Sequence, residues 1–288
     1  MSSLSGIVLV GGLGTRLSSV FPGEPKSMAP VANRPFLEYV LAKLRLGEIT
    51  DVVLCVGYRR SWVQTHFQKG TKWGLSLRYS VEEELLGNAG AVKKAARMLD
   101  ASALFVFHGN SLLDLDVQAM WDFHHSRKAL ATVALVASPR ANRYGDILTN
   151  ERGEITAFRE KYDDAIQSNK GKRLINAGAY LLSRQFIDLI PDGRPVSIEK
   201  DLFPVLIGFG LYGFVSNGYF VDIGVPEDLA RAQRELPMRS RVLGPQYEDS
   251  CKSTTAHQFR GRRHRCSSLS RAQRRLRFEC DHRQLCVG

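Results

Sequence analysis

The chain has 288 residues, 44% of them hydrophobic, and a formal net charge of +11. That length gives one large or two modest domains with a real core, which excludes a chain too short or too polar to fold. From Arg241 onward eleven Lys and Arg face four Asp and Glu, so most of the excess charge sits in the tail; the body is only mildly basic, as suits a phosphate-bearing substrate.

In chain order, Ile7-Val8-Leu9-Val10 is an apolar run that stops at Gly11-Gly12-Leu13-Gly14-Thr15-Arg16-Leu17. A run of this kind bounded by glycine reads as a buried strand entering a loop. Closely spaced glycines let backbone N–H groups turn toward a ligand, and Arg16 and Lys26 add two cations beside them, so polyphosphate is the matching ligand. The Walker pattern lacks its lysine here, and the dinucleotide fingerprint lacks its third glycine, which is Leu17.

Phe36 to Leu46 carries apolar residues at helical spacing and ends at Gly47. Asp51 to Val56 and Leu75 to Ser80 read as strands, with Ser61 to Phe67 helical between them. Gly87 to Leu99 follows as a helix and Ala103 to Phe107 as a buried strand. The alternation predicts an α/β fold, a Rossmann-like, mostly parallel sheet flanked by helices, with ligands beyond the carboxyl ends of its strands. Later strand candidates are Thr132 to Val136, Tyr144 to Leu148, Ile155 to Phe158 and Ile175 to Leu182. Ile198 to Leu206 and Pro226 to Leu236 read as helices, the second with proline in its first turn.

The domain is expected to cover residues 1–239. Residues 240–288 are rich in Arg, Ser, Gln and Cys without periodicity, which predicts disorder. A zinc site built on Cys251, His257, Cys266, Cys280, His282 and Cys286 has no Cys-x-x-Cys pair behind it; a basic RNA-binding arm or a non-native terminus would also have this composition. Cys55, alone in the body, is expected as a buried apolar residue. No secretory signal is evident, and the apolar run near Val205 to Val215 falls short of the about 20 residues a span needs, so a soluble cytoplasmic protein is expected.

The glycine loop followed by Pro25-Lys26 resembles the signature of the sugar-1-phosphate nucleotidylyltransferases (sugar-nucleotide pyrophosphorylases), and the resemblance recurs over about Gly6 to Leu236. It implies that Val10, Gly11, Gly12, Gly14 and Thr15 hold a nucleoside triphosphate, and that Arg16 and Lys26 act catalytically by neutralising phosphate charge. Glu82-Glu83-Glu84-Leu85-Leu86-Gly87-Asn88 is similar to the segment that lies against the nucleobase, with Gly87, Asn88 and one carboxylate (Glu83 or Glu84, here assigned to Glu84) as contacts. The family usually has threonine where Asn88 stands.

The same resemblance implies that Gly145, Glu160, Lys161 and Asn176 hold the sugar phosphate, and that Asp222 and Asn110 hold Mg²⁺. Asn110 stands where the family has aspartate and His108 where it has asparagine. Losing one carboxylate charge against a divalent ion forfeits about 8 kcal/mol of gross attraction at 4 Å and an effective dielectric of 20, before desolvation is credited. The segments Pro35 to Tyr39, Val56 to Tyr58, Ser197 to Asp201 and Ser216 to Gly224 are similar to the guanylyl branch acting on a heptose 1-phosphate. They imply GTP as donor and a role in surface-polysaccharide synthesis; the competing readings are a mannose 1-phosphate enzyme, another NDP-hexose pyrophosphorylase that transfers a uridylyl or thymidylyl group, and a catalytically silent sugar-nucleotide-binding homologue. A homo-oligomer is compatible with this reading, and neither nucleic acid nor membrane is expected as a partner.

Overall fold

The structure, a computed structural model, describes residues 4–11, 17, 21, 23–57, 59–138, 146–159 and 173–239. The expectations for residues 12–16, 145, 160–161 and 240–288 lie outside the described residues.

Strand β1 (Leu4–Leu9) is followed by a 3-10 turn, Lys26–Met28, and by a small hairpin of β2 (Pro30–Val31) and β3 (Arg34–Pro35). Helix α1 (Phe36–Leu46), β4 (Ile49–Val56), α2 (Arg60–Phe67), β5 (Ser76–Val81), α3 (Gly87–Ala96) and β6 (Ala103–His108) complete the alternating half. Then come β7 (Ser111–Leu113), α4 (Val117–Ser126), β8 (Ala131–Ser138), β9 (Asp146–Thr149), β10 (Ile155–Arg159), β11 (Arg173–Ser183) and α5 (Arg184–Asp188). The last elements are β12 (Leu211–Ser216), β13 (Phe220–Asp222) and α6 (Pro226–Glu235).

Seven strands form one sheet in the order β12-β8-β11-β6-β1-β4-β5. All neighbours run parallel except β11, which is antiparallel to both β6 and β8. The central strands are apolar on both faces because helices cover both. Ile7, Leu104 and Val106 pack with Ala89, Val92 and Ala96 of α3 and Phe186 of α5. The alternate residues face the other way: a Cβ on Gly6 would stand 2.8 Å from Ile49 and 3.6 Å from Leu44 of α1, and Phe105 meets Trp121 of α4 at 6.2 Å between rings. Alanines along α3 let that helix lie close to the sheet. Cys55 is fully buried in this core, and burial raises its thiol pKa.

Two expected helices are shorter than the periodicity suggested. Ile198–Leu202 is a single π-helical turn and Pro204–Leu206 a separate 3-10 turn, since Pro204 brings no N–H to continue the ladder. Helix α3 ends at Ala96 rather than Leu99. Helix α4, which the periodicity did not reveal, is capped by Asp116, whose carboxylate accepts from the Ala119 N–H at 2.9 Å.

Candidate functional site

The carboxyl ends of β1 and β6 lie side by side. The Val10 and Gly11 N–H groups both donate to the Cys55 carbonyl at 3.0 Å, and the Gly109 N–H donates to the Leu9 carbonyl at 2.9 Å. A Cβ on Gly109 would sit 3.0 Å from that carbonyl and 3.5 Å from Ser27 and Val10. Glycine therefore eases the crossing of the segment after β6 over the end of β1, and the turn that begins at Lys26 packs against the same crossing. Of the predicted phosphate ligands, Val10, Gly11 and Lys26 converge here; Gly12, Gly14, Thr15 and Arg16 lie outside the described residues.

Beyond Gly109 the chain makes a second pairing that joins positions remote in sequence. Strand β13 runs antiparallel to β7, with Asp222 opposite Ser111. The Ile223 N–H donates to the Asn110 carbonyl at 2.9 Å, which seats the two strand ends together. Asn110 Nδ2 then donates to Asp222 Oδ1 at 3.4 Å and Ser111 Oγ to Oδ2 at 3.2 Å. The Gly224 N–H also donates to Oδ1. Asp222 is thus a carboxylate held in place by an amide, a hydroxyl and a backbone N–H, and the two predicted metal-binding residues are neighbours.

Their chemistry can be weighed against Mg²⁺. All the donors on offer are oxygens: the Asp222 carboxylate, the Ser111 hydroxyl and, after a half-turn of its amide, the Asn110 carbonyl. Mg²⁺ binds through one or two carboxylates plus substrate phosphates, so the set fits the ion with a single protein charge. Among the described residues no group of three or more His, Cys, Asp or Glu could hold a metal without such help.

On the other side of β6, the start of α3 meets the Ser197 turn. Gly87 has φ +68°, and a Cβ there would lie 2.3 Å from the Val196 carbonyl oxygen. The close backbone approach that Gly87 permits is to this chain's own Val196, whose N–H donates to the Leu86 carbonyl at 3.0 Å. Asn88 accepts from the Ile198 N–H at 2.8 Å and donates to Glu199 Oε2 at 2.7 Å. Ser197 Oγ donates to the same oxygen at 3.1 Å. The other oxygen, Oε1, accepts from the Tyr180 hydroxyl at 2.8 Å and faces His108 Nε2 at 3.3 Å. Burial alone would raise the Glu199 pKa; His108, through its hydrogen bond and charge, with Asn88 and Tyr180, outweighs it and lowers the value to about 2.

Asn176 belongs to this network as well. Its Nδ2 donates to the Tyr180 hydroxyl at 3.0 Å, and its Oδ1 accepts from the Gly178 N–H at 2.8 Å across a register break in β11. Gly178, at φ +71°, leaves room for His108 and Ser111, each 3.3 Å from where a Cβ would stand. Gly145, Glu160 and Lys161 lie outside the described residues.

Glu84 is exposed, whereas Glu82 stands beside the glycine turn, its Oε1 at 3.5 Å from where a Gly11 Cβ would be. Burial raises the Glu82 pKa, against the Leu86 N–H and the Lys94 charge. Three residues of the site, Glu82, Tyr180 and Glu199, were not singled out from sequence. The run of three glutamates would on its own read as a solvated loop, and Glu199 lies in Ser197 to Asp201, a segment marked for its resemblance without a role for any one residue. Among the described residues no helix is long and apolar enough to cross a membrane.

The pattern of the Nucleotidyl transferase family matches residues 5–239, and the chain belongs to that family. It is 37% identical to D-glycero-alpha-D-manno-heptose 1-phosphate guanylyltransferase of Aneurinibacillus thermoaerophilus over 235 residues, 81% of this chain and 98% of that protein. It is 36% identical to mannose-1-phosphate guanylyltransferase of Mycobacterium tuberculosis over 233 residues, 80% of this chain; the match spans only 64% of that relative's length. The crystal structure of HddC from Yersinia pseudotuberculosis complexed with GMP-PN is similar at a TM-score of 0.70 and 28% identity, over 81% of this chain and 99% of that one.

Proposed function

We propose that the protein transfers GMP from GTP to a sugar 1-phosphate, releasing pyrophosphate and forming a GDP-sugar. D-glycero-α-D-manno-heptose 1-phosphate is the first acceptor and mannose 1-phosphate the second, as the names of the two relatives suggest. The observation that carries this reading is the meeting of Gly11, the Lys26 turn and the Asn110–Asp222 pair at the adjoining carboxyl ends of β1 and β6. The Val10 and Gly11 N–H groups are already bonded to Cys55. What this place brings toward a polyphosphate is therefore the lysine of the turn and an oxygen-lined carboxylate, with the glycine segment that follows Gly11 proposed to supply the backbone donors.

In-line attack of a sugar phosphate oxygen on the α-phosphorus depends chiefly on alignment and charge neutralisation, so it needs no covalent nucleophile on the protein. Lys26 and Arg16 screen the phosphates, Gly11 and its neighbours cradle them, and Lys161 and Glu160 hold the acceptor. Asp222, with Asn110 beside it, would hold Mg²⁺, which when bound supplies a Lewis acid toward phosphate oxygens. GTP as donor suits a reaction in the cytoplasm.

The test is pyrophosphate release with GTP, ATP, UTP and dTTP across a panel of sugar 1-phosphates at varied Mg²⁺. Turnover with GTP and either named acceptor supports the reading. Binding of GDP-sugar without turnover at any metal concentration supports the silent homologue instead, for which Asn110 is the favouring feature.

A further inference from the structure

We propose that Glu199 is a positioning residue that couples occupancy of the nucleotide half of the site to occupancy of the sugar half; this rests on the function proposed above. Four groups surround its carboxylate: Asn88 Nδ2 at 2.7 Å, Tyr180 Oη at 2.8 Å, Ser197 Oγ at 3.1 Å and His108 Nε2 at 3.3 Å. A carboxylate has about four lone-pair sites, so none remains for a ligand. Glu199 therefore acts through its neighbours and not on substrate.

Those neighbours come from separate elements. Asn88 opens α3, His108 ends β6 and Tyr180 lies in β11; on the function proposed above, Asn88 goes to the nucleotide and Asn176, the partner of Tyr180, to the sugar phosphate. From Tyr180 the contacts continue through Asn176 to the Gly178 N–H, and Gly178 packs against Ser111, which donates to Asp222. Any movement of α3 carries Asn88 with it, and Glu199 can follow only by moving the Tyr180 and His108 hydrogen bonds. Because every group in the chain is already paired, no member relaxes alone. Contiguity by itself is not coupling, so the measurement must read coupling directly.

The probes are GMP and mannose 1-phosphate, which share no phosphate position in the proposed product, titrated calorimetrically into the full chain, each alone and each in the presence of the other at saturation. Couplings of this kind amount to about 5- to 150-fold. The unaltered protein should bind GMP at least about fivefold more tightly when mannose 1-phosphate is present, and the reciprocal factor should match. Glu199→Gln, which keeps the shape but turns one acceptor into a donor, should reduce that factor below about twofold while each ligand alone binds nearly as before. Glu199→Asp should restore part of it, which a merely structural role would not do.

Retention of the full factor in a folded Glu199→Gln overturns the proposal, as does its absence from the unaltered protein. Should Glu199→Gln fail to fold, Tyr180→Phe removes a single hydroxyl of the same network, and unchanged coupling in that variant is equally fatal. Loss of binding to both ligands in the unaltered protein sinks the functional reading and this proposal together. Binding that persists without coupling sinks only the role of Glu199.

Discussion

The Asp222 cluster and the Glu199 cluster flank the same strand ends, and they are built on opposite plans. Around Glu199 each oxygen meets two partners, and the chain itself supplies all of them. Around Asp222 the described partners are neutral: one amide at 3.4 Å, one hydroxyl at 3.2 Å and the Gly224 N–H. A half-buried carboxylate whose hydrogen-bonding sites are met internally holds a shape, whereas one held by neutral dipoles keeps its charge available for a ligand. The pair thus separates a scaffold from a binding site within one surface.

The sharpest break of that comparison is Asp222→Asn. If Asp222 carries the only protein charge toward the metal, this change should lower the rate of pyrophosphate release about a thousandfold, roughly 4 kcal/mol of barrier, with the melting temperature little altered. An equal rate loss in Glu199→Gln, with no loss of coupling, would mean that the two clusters do not divide the work as described.

The scaffold side is tested next by Gly87→Ala. Its φ of +68° and a Cβ 2.3 Å from the Val196 carbonyl combine backbone strain with a hard clash. The expected cost is about 3 kcal/mol, read as a fall in unfolding free energy by denaturant titration. Gly193→Ala is the control: its φ is +78° with no atom within 4 Å, so only the left-handed backbone, about 1 kcal/mol, is at stake.

A third test uses pH and a closed polar pair far from the site. His124 is buried, and its Nδ1 lies 2.8 Å from Thr132 Oγ1. Burial, with the nearby His125, lowers its pKa from 6.5 to about 4. The unfolded chain takes up this proton below pH 6.5 and the folded chain only below about pH 4. Stability is therefore full above pH 6.5 and falls as pH drops toward 4, by at most about 3 kcal/mol. Glu199 has the opposite charge type but the same sense: its contribution is present above pH 4.5 and is lost as pH falls toward about 2. Denaturant titration across pH should show two acid steps; in His124→Gln the upper one should flatten and the lower remain.

These clusters were unequally legible in the amino-acid order. Ile7 to Val10 entering glycines could be read at once, because a fully buried parallel strand is an unbroken apolar run. Asp222 and Asn110 were marked by motif resemblance, and the β7–β13 pairing that unites them spans 112 positions, which no local pattern encodes. Ser197 to Asp201 was marked by resemblance, but no role for Glu199 could be read from it, because its partners arrive from three other elements. Gly87 was legible as a close approach but not as to whose backbone: its closest described neighbour is Val196. Helix α4 escaped because its buried residues are only Val117, Met120 and His124, too few for an apolar stripe to stand out.

The smallest effect returns to the open cluster. Asn110→Asp places a second carboxylate against Asp222, where the amide now donates at 3.4 Å. Without a divalent ion, two like charges at that separation repel and one N–H donor is lost, so the melting temperature should fall by an amount corresponding to about 1 kcal/mol. With Mg²⁺ the sign reverses, since the ion gains a charged ligand in place of a neutral one. Half-saturation of activity should then move to about tenfold lower Mg²⁺. The decisive reading is the interaction of the two variables: thermal melts of both proteins with and without Mg²⁺, in which the variant is the less stable protein in EDTA and the more strongly stabilised one in Mg²⁺. A variant whose melting temperature and rate respond to Mg²⁺ as the unaltered chain does would place the divalent ion elsewhere, and Asp222 would then be a capped strand end like many others.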